Sequence, residues 1–237
     1  MKVLGIDSSG LVASVAVVED DILLAEYTVN YKKTHSQTLL PMLKEIGDMI
    51  SLDLNSIDAI AIAAGPGSFT GLRIGSATAK GLGLALDKPI IPVPTVAGLA
   101  YDLWGTDKLV CPIMDARRNQ VYTGIYEFIE GKLQIVEDQM AVAVTEIAEK
   151  LNEKEREVIF LGDGVPVYRE LLAENMKVPY SFAPAHMNRQ RASAVAVLGV
   201  QYYAEGHVES AAEHKPDYLR LSQAERERKE KEAQSHA

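Results

Sequence analysis

Lys2-Val3-Leu4-Gly5-Ile6-Asp7-Ser8-Ser9-Gly10 near the start and Leu109-Val110-Cys111-Pro112-Ile113-Met114-Asp115 in the middle share one design, an apolar strand that ends in an aspartate. Asp7 and Asp115 stand 115 − 7 = 108 positions apart. The elements after each aspartate come in the same order. After the first come β-branched runs at 12–18 and 22–30, separated by the turn-like Glu19-Asp20-Asp21. A helix over 34–50 is next, with Thr34 and Gln37 in a capping-box pattern and Leu39, Leu43 and Ile46 among apolar residues at helical spacing. Pro41 inside it kinks the helix or marks where its regular part begins. A buried strand over 57–64, a helix over 70–86, a strand over 90–93 and a helix over 95–104 complete the first half. After Asp115 come strands at 120–128 and 132–137, a helix at 145–152, a strand at 158–161, and helices at 165–175 and 189–205. The pattern predicts a duplicated β-β-β-α-β-α unit rather than one Rossmann sheet. The lobes are expected over residues 1–107 and 108–221, with a charged, solvated tail over 222–237.

The 237 residues are 47% hydrophobic and 24% charged, ordinary values for a globular chain with a sizeable core. One cysteine, Cys111, forms no internal disulfide, which fits a reducing cytoplasm. No run of 18 apolar residues occurs, and Asp7 comes too early for a signal peptide. The net charge of −9 argues against a broad basic face for nucleic acid. Four Phe and one Trp leave little for stacking on single strands.

Asp7-Ser8-Ser9-Gly10 opens a hairpin, the place where actin-like sugar kinases and chaperone ATPases hold a metal and cradle phosphates. A polar turn with local hydrogen bonds explains the same residues. Gly65-Pro66-Gly67-Ser68-Phe69-Thr70-Gly71 joins a strand to a helix, where an anion can sit on backbone N–H groups. It is neither a Walker loop nor a dinucleotide fingerprint. Gly71, Gly75, Ala79 and Gly83 then recur every four residues along the helix. Each interior glycine costs about 1 kcal/mol against alanine, so the stripe calls for a backbone approaching closely. That neighbour is either the 34–50 helix of the same chain or a helix of another subunit. Gly162-Asp163-Gly164 echoes Gly65-Pro66-Gly67 after the corresponding strand. The histidines have no i, i+3 or i, i+4 partner, and neither a nucleophile elbow nor a Cys/His pair stands out.

Several strings occur together in order: Leu4-Gly5-Ile6-Asp7-Ser8-Ser9, Thr34-His35-Ser36, Ala64 through Arg73, Pro92-Val93-Pro94-Thr95, Met114-Asp115-Ala116-Arg117 and Pro216-Asp217-Tyr218-Leu219-Arg220. With them the chain resembles the bacterial TsaB (YeaZ) family over residues 1–220. The resemblance implies an actin-like, Hsp70-like, sugar-kinase-like (ASKHA) fold and a part in making threonylcarbamoyladenosine on tRNA beside the anticodon. It implies a non-catalytic subunit pairing with the paralogue TsaD, in a pathway that includes the TsaE ATPase, and a homodimer through the same surface when TsaD is absent. No cofactor is implied, and whether the chain itself touches tRNA is left open. TsaD-like chains carry two metal-binding histidines soon after the short Ile-Pro-Val strand; Thr95 and Leu99 stand there instead, and neither replaces imidazole. The partner surface is expected on Leu39, Leu43 and Ile46 of the first helix and on Gly71, Gly75, Ala79 and Gly83 of the second. Asp7, Ser8, Ser9, Asp115, Gly162 and Gly164 are expected to stand where the fold's nucleotide site would be, as a vestige of it, with Arg117 and Arg118 crowding its second turn and nucleotide binding left open. A free-standing actin-like ATPase or kinase using Asp7 and Asp115 is the alternative, and a metallopeptidase a more distant one.

Overall fold

The structure, a computed structural model, describes residues 1–31 and 37–219. The Thr34-His35-Ser36 motif and the tail over 222–237 lie outside the described residues. The first half builds a five-stranded sheet from β1 (Lys2–Asp7), β2 (Ala13–Glu19), β3 (Ile22–Val29), β4 (Ala59–Gly65) and β5 (Ile90–Pro94), in the order β3-β2-β1-β4-β5. β1 runs antiparallel to β2 and parallel to β4. The near-continuous apolar runs of β1 and β4 thus occupy the centre, and the half-exposed β3 takes the edge.

The second half repeats this arrangement with β6 (Leu109–Pro112), β7 (Met114–Asp115), β8 (Gln120–Ile129), β9 (Lys132–Ala143), β10 (Val158–Leu161) and β11 (Tyr180–Phe182). Its order is β11-β10-β6-β8, with β9 beyond β8 and β7 also paired to β8. β6 is antiparallel to β8 and parallel to β10, as β1 is to β2 and β4. The duplicated unit expected from the two aspartate-ended strands is therefore present in the pairing itself. One expected strand, 109–115, is split at Ile113, whose N–H donates to Leu161 while its carbonyl accepts from Gly164.

Among the described residues the α-helices are α1 (Leu39–Met49), α2 (Phe69–Leu86), α3 (Thr95–Tyr101), α4 (Val144–Glu153), α5 (Val165–Asn175) and α6 (Ala192–Ala204). Pro41 falls in the first turn of α1, where a missing N–H costs nothing. The alternation along the strands assigns the layers. Leu4, Ile6, Ile60 and Ile62 pack with Leu39, Leu43, Ile46 and Ala79 from α1 and α2 on the outer face of the first sheet. Val3, Ala59, Ala61 and Ala63 face the other way, into a core shared with α3, α6, Val110, Tyr126 and Leu161 of the second sheet. Small side chains on that face let α6 come close: a Cβ on Gly199 would lie 2.7 Å from that of Ala61. α6 is apolar or small on nearly every side, as a helix between two sheets requires. The outer face of the second sheet carries α4 and α5. Residues 192–219 belong to the second half in sequence, yet α6 packs on the first sheet and Glu209 pairs with Ile90 at its edge. The halves interleave rather than part at residue 108.

Candidate functional site

Both aspartate turns open onto one cleft of about 560 Å³, lined by Ser9, Gly10, Gly67, Ser68, Asp115, Arg117 and Asp163 among others. Asp7 lies beneath it, 1% exposed, its Oδ1 accepting from the N–H and hydroxyl of Ser9 at 2.8 and 2.6 Å. The Ser8 hydroxyl donates to the Gly71 carbonyl at 2.9 Å. The 65–71 loop lies directly on this turn: Ser68 N–H donates to Ser9 O at 2.6 Å, and a Cβ on Gly67 would meet that oxygen at 2.2 Å. Ser68 also caps α2, its hydroxyl accepting from Gly71 N–H at 3.3 Å. The N-terminus of α2, a natural place for negative charge, faces the cleft.

The second turn is built the same way and is more acidic. Gly162 and Gly164 pack beneath it against the Ile113 backbone, and Asp163 between them accepts from Asp115 N–H at 3.2 Å. Burial pushes the Asp163 carboxyl above its usual range, against the pull of that N–H and of Arg189. Asp115 Oδ1 accepts from Arg117 N–H at 2.7 Å and from the Tyr168 hydroxyl at 2.8 Å. Desolvation and this carboxylate raise the Tyr168 hydroxyl to about 12. Arg117, Arg118 and Asn119 all hold left-handed φ angles, 63°, 57° and 57°, a rare run for residues other than glycine. Arg117 lines the cleft; Arg118 is exposed beside it. Asp115, Asp163 and Asp217 thus face the space where the turns converge, with Arg117 opposing them. Among the described residues, no three His, Cys, Asp or Glu side chains are grouped to hold a metal.

Of the expected nucleotide-site residues, the structure sets Ser9 and Asp115 on the cleft wall and Asp7, Ser8, Gly162 and Gly164 below it. Residues 217–219 also join the wall, and they carry no periodic signal by which sequence reasoning could place them there. Thr95 is fully buried and accepts from Gly65 N–H at 3.2 Å, while Leu99 sits in the central core. Cys111 is buried against Thr123, and desolvation raises its thiol to about 12.

The expected partner residues require a correction. Leu39, Leu43 and Ile46 are 2%, 6% and 4% exposed, all packed on the first sheet. Gly71, Gly75, Ala79 and Gly83 also face inward. A Cβ on Gly71 or Gly75 would fall 2.1 Å from Ser8 O or 2.3 Å from Ser8 Oγ, and one on Gly83 would fall 2.8 Å from Ala211 Cβ. The stripe's close neighbours are the first turn, β4 and residue 211. The outward positions are different ones: Leu40 and Met49 on α1, and Arg73, Ala77, Gly81 and Leu84 on α2.

Paired sheets of this topology, with aspartate turns facing across a cleft, define an actin-like, sugar-kinase-like fold. A ROK hexokinase from Thermus thermophilus shares the fold at a TM-score of 0.50 and 13% identity, covering 87% of this chain and 100% of its own. YeaZ from Pseudomonas aeruginosa superposes at a TM-score of 0.80 with 27% identity over 92% of this chain and 99% of its own. A family profile described as "TsaD: tRNA N6-adenosine threonylcarbamoyltransferase" matches residues 23–228. The tRNA threonylcarbamoyladenosine biosynthesis protein TsaB of Bacillus subtilis is 35% identical over 95% of this chain and 96% of its own length. Its Escherichia coli counterpart is 31% identical over 93% and 95%. The chain belongs to this TsaD-related family, in its TsaB branch. No described helix is long and apolar enough to cross a membrane.

Proposed function

We propose that this chain is the non-catalytic partner of a TsaD-type transferase in the threonylcarbamoyladenosine modification of tRNA next to the anticodon. The observation that carries the reading is the occupancy of the two positions where the transferase branch has metal-binding histidines. Thr95 is spent on a backbone hydrogen bond and Leu99 on the core, so neither residue replaces an imidazole ligand. The acidic lining supports the same reading, because an unaided polyphosphate would meet three carboxyl groups. The TsaE-like ATPase joins through the complex, and the chain pairs with itself when its partner is absent.

The outer faces of α1 and α2 are the surface that fits this role. Gly81 supplies the reason: it costs the helix about 1 kcal/mol, yet among the described residues nothing beyond its own helix lies within 4 Å of where its Cβ would be. Leu84 beside it is 63% exposed, and Leu40 on α1 53%. Copurification of the untagged chain with the TsaD-like protein of its own cell tests the partnership. Gly81→Leu and Leu84→Glu test the surface: each should weaken pairing at least about tenfold without lowering the melting temperature by more than the small amount usual for surface substitutions. Unchanged affinity in both, or threonylcarbamoyl transfer by the isolated chain, would overturn the reading.

A further inference from the structure

Residues 216–219 do not trail away from the molecule. Asp217, Tyr218 and Leu219 line the cleft, and the segment is held from both lobes. On the first lobe, Asp217 N–H donates to Ala64 O at 2.7 Å, at the end of β4. The Asp217 carbonyl lies so close to Gly65 that a Cβ there would meet it at 2.1 Å, and Gly65 already holds φ 131°. Glycine is therefore required at 65 twice over, for its own conformation and for the segment lying on it. The Tyr218 ring packs on Phe69 with centroids 4.9 Å apart, and its hydroxyl accepts from Arg73 Nε at 3.3 Å. The Arg73 guanidinium in turn stacks on the Phe69 ring at 4.0 Å. On the second lobe, Gln139 of β9 donates from Nε2 to Asp217 Oδ2 at 2.7 Å. Upstream, the same segment is moored along α2: Lys80 Nζ donates to the carbonyls of Ala212 and His214 at 2.9 and 3.0 Å.

We propose that residues 216–219 form an intramolecular latch, an Asp-Tyr peptide recognised by a groove of Ala64, Gly65, Phe69 and Arg73 and tied through Gln139 to the opposite lobe. Its main chain is read by the strand end, its tyrosine by the aromatic and guanidinium faces, and its carboxylate by the amide of the other lobe. The latch fixes the separation of the lobes and walls the cleft from the side of the glycine loop. This inference stands apart from the proposed partnership, since none of the latch contacts lies on Gly81, Leu84 or Leu40.

Amide hydrogen exchange of the full-length chain tests it with two variants. Tyr218→Ala should speed exchange in residues 66–72 about tenfold while β6 and β10 keep their protection. Gln139→Leu should leave residues 66–72 protected and broaden the inter-lobe distance distribution between spin labels at Thr70→Cys and Arg118→Cys, the native Cys111 being buried. A synthetic peptide of residues 215–219, added to the Tyr218→Ala variant, should restore the lost protection in a saturable way. Unchanged exchange in Tyr218→Ala, or acceleration spread evenly over both sheets, would overturn the latch. So would a label distribution in Gln139→Leu as narrow as that of the parent, or a peptide that restores nothing.

Discussion

Gly75 and Gly81 lie on the same helix and answer to different neighbours. Gly75 sits where a methyl group would press on Ser8 Oγ at 2.3 Å and Ile62 Cδ1 at 3.1 Å, whereas Gly81 has open space. Gly75→Ala should therefore overpack the first turn and destabilise the chain by about 1–3 kcal/mol, lowering the melting temperature by several degrees. Gly81→Ala should raise it, by the helix-propensity difference of about 1 kcal/mol. Calorimetry of the two variants decides the matter; equal effects would contradict the inward assignment of the stripe. The buried carboxyls carry a pH dependence. Desolvation holds Asp102 well above its ordinary range, and its Oδ2 has no hydrogen-bond partner among the described residues; Asp163 is raised for the same first cause. A folded carboxyl that grips its proton more tightly than the unfolded one favours the native state at low pH, and that contribution is lost as pH rises above about 4. Asp102→Asn keeps the shape and removes the ionisation. Its melting temperature should exceed the parent's at about pH 7, with the gap closing toward pH 4; a gap independent of pH would assign the difference to packing instead.

At the scale of elements, the sequence announces what periodicity and punctuation can carry. β1, β2, β4 and α2 fall within a residue or two of their expected limits because each is an unbroken apolar or periodic run bounded by a turn. β9 extends to Ala143, beyond the expected 137, since Asp138 and Gln139 lack strand character and are kept in register by the pairing of Gln120 with Ala143. β11 is three residues long and too short to signal itself. The two aspartate turns are legible, and so is the need for a close neighbour beside the glycine stripe. Which neighbour is not, because spacing along one helix says nothing of what crosses it. Pro216-Asp217-Tyr218 stands out in sequence as a string, but its contacts do not, for a related reason: they are made to Gly65, Phe69 and Gln139, remote along the chain. Capping is the element-level property that can be measured directly. Ser68 satisfies one donor of α2 and orients the loop under the first turn. Ser68→Ala should cost about 1 kcal/mol, a shift of roughly 2–4 °C for a chain of this size. No shift would mean that the loop, rather than the cap, sets the helix start.

The whole molecule is a stack of five layers, two helices, a sheet, two central helices, a second sheet and two more helices, with the cleft where the two aspartate turns meet. In such a fold a ligand closes the lobes only if it binds the closed form better than the open one. Two features work against that differential here. The cleft presents Asp115, Asp163 and Asp217 to anything anionic, and Asp217 is bonded to both lobes at their present separation. The proposed latch and the proposed non-catalytic role lead to one expectation at this scale. Millimolar magnesium-ATP should leave the radius of gyration of the isolated chain unchanged by small-angle scattering, and no steady phosphate release should accompany it. Asp7→Ala should then lower the melting temperature, since Ser9 loses its acceptor, without altering that background. A saturable compaction by nucleotide, abolished by Asp7→Ala, would instead place the chain among the actin-like ATPases and require the latch to open during turnover.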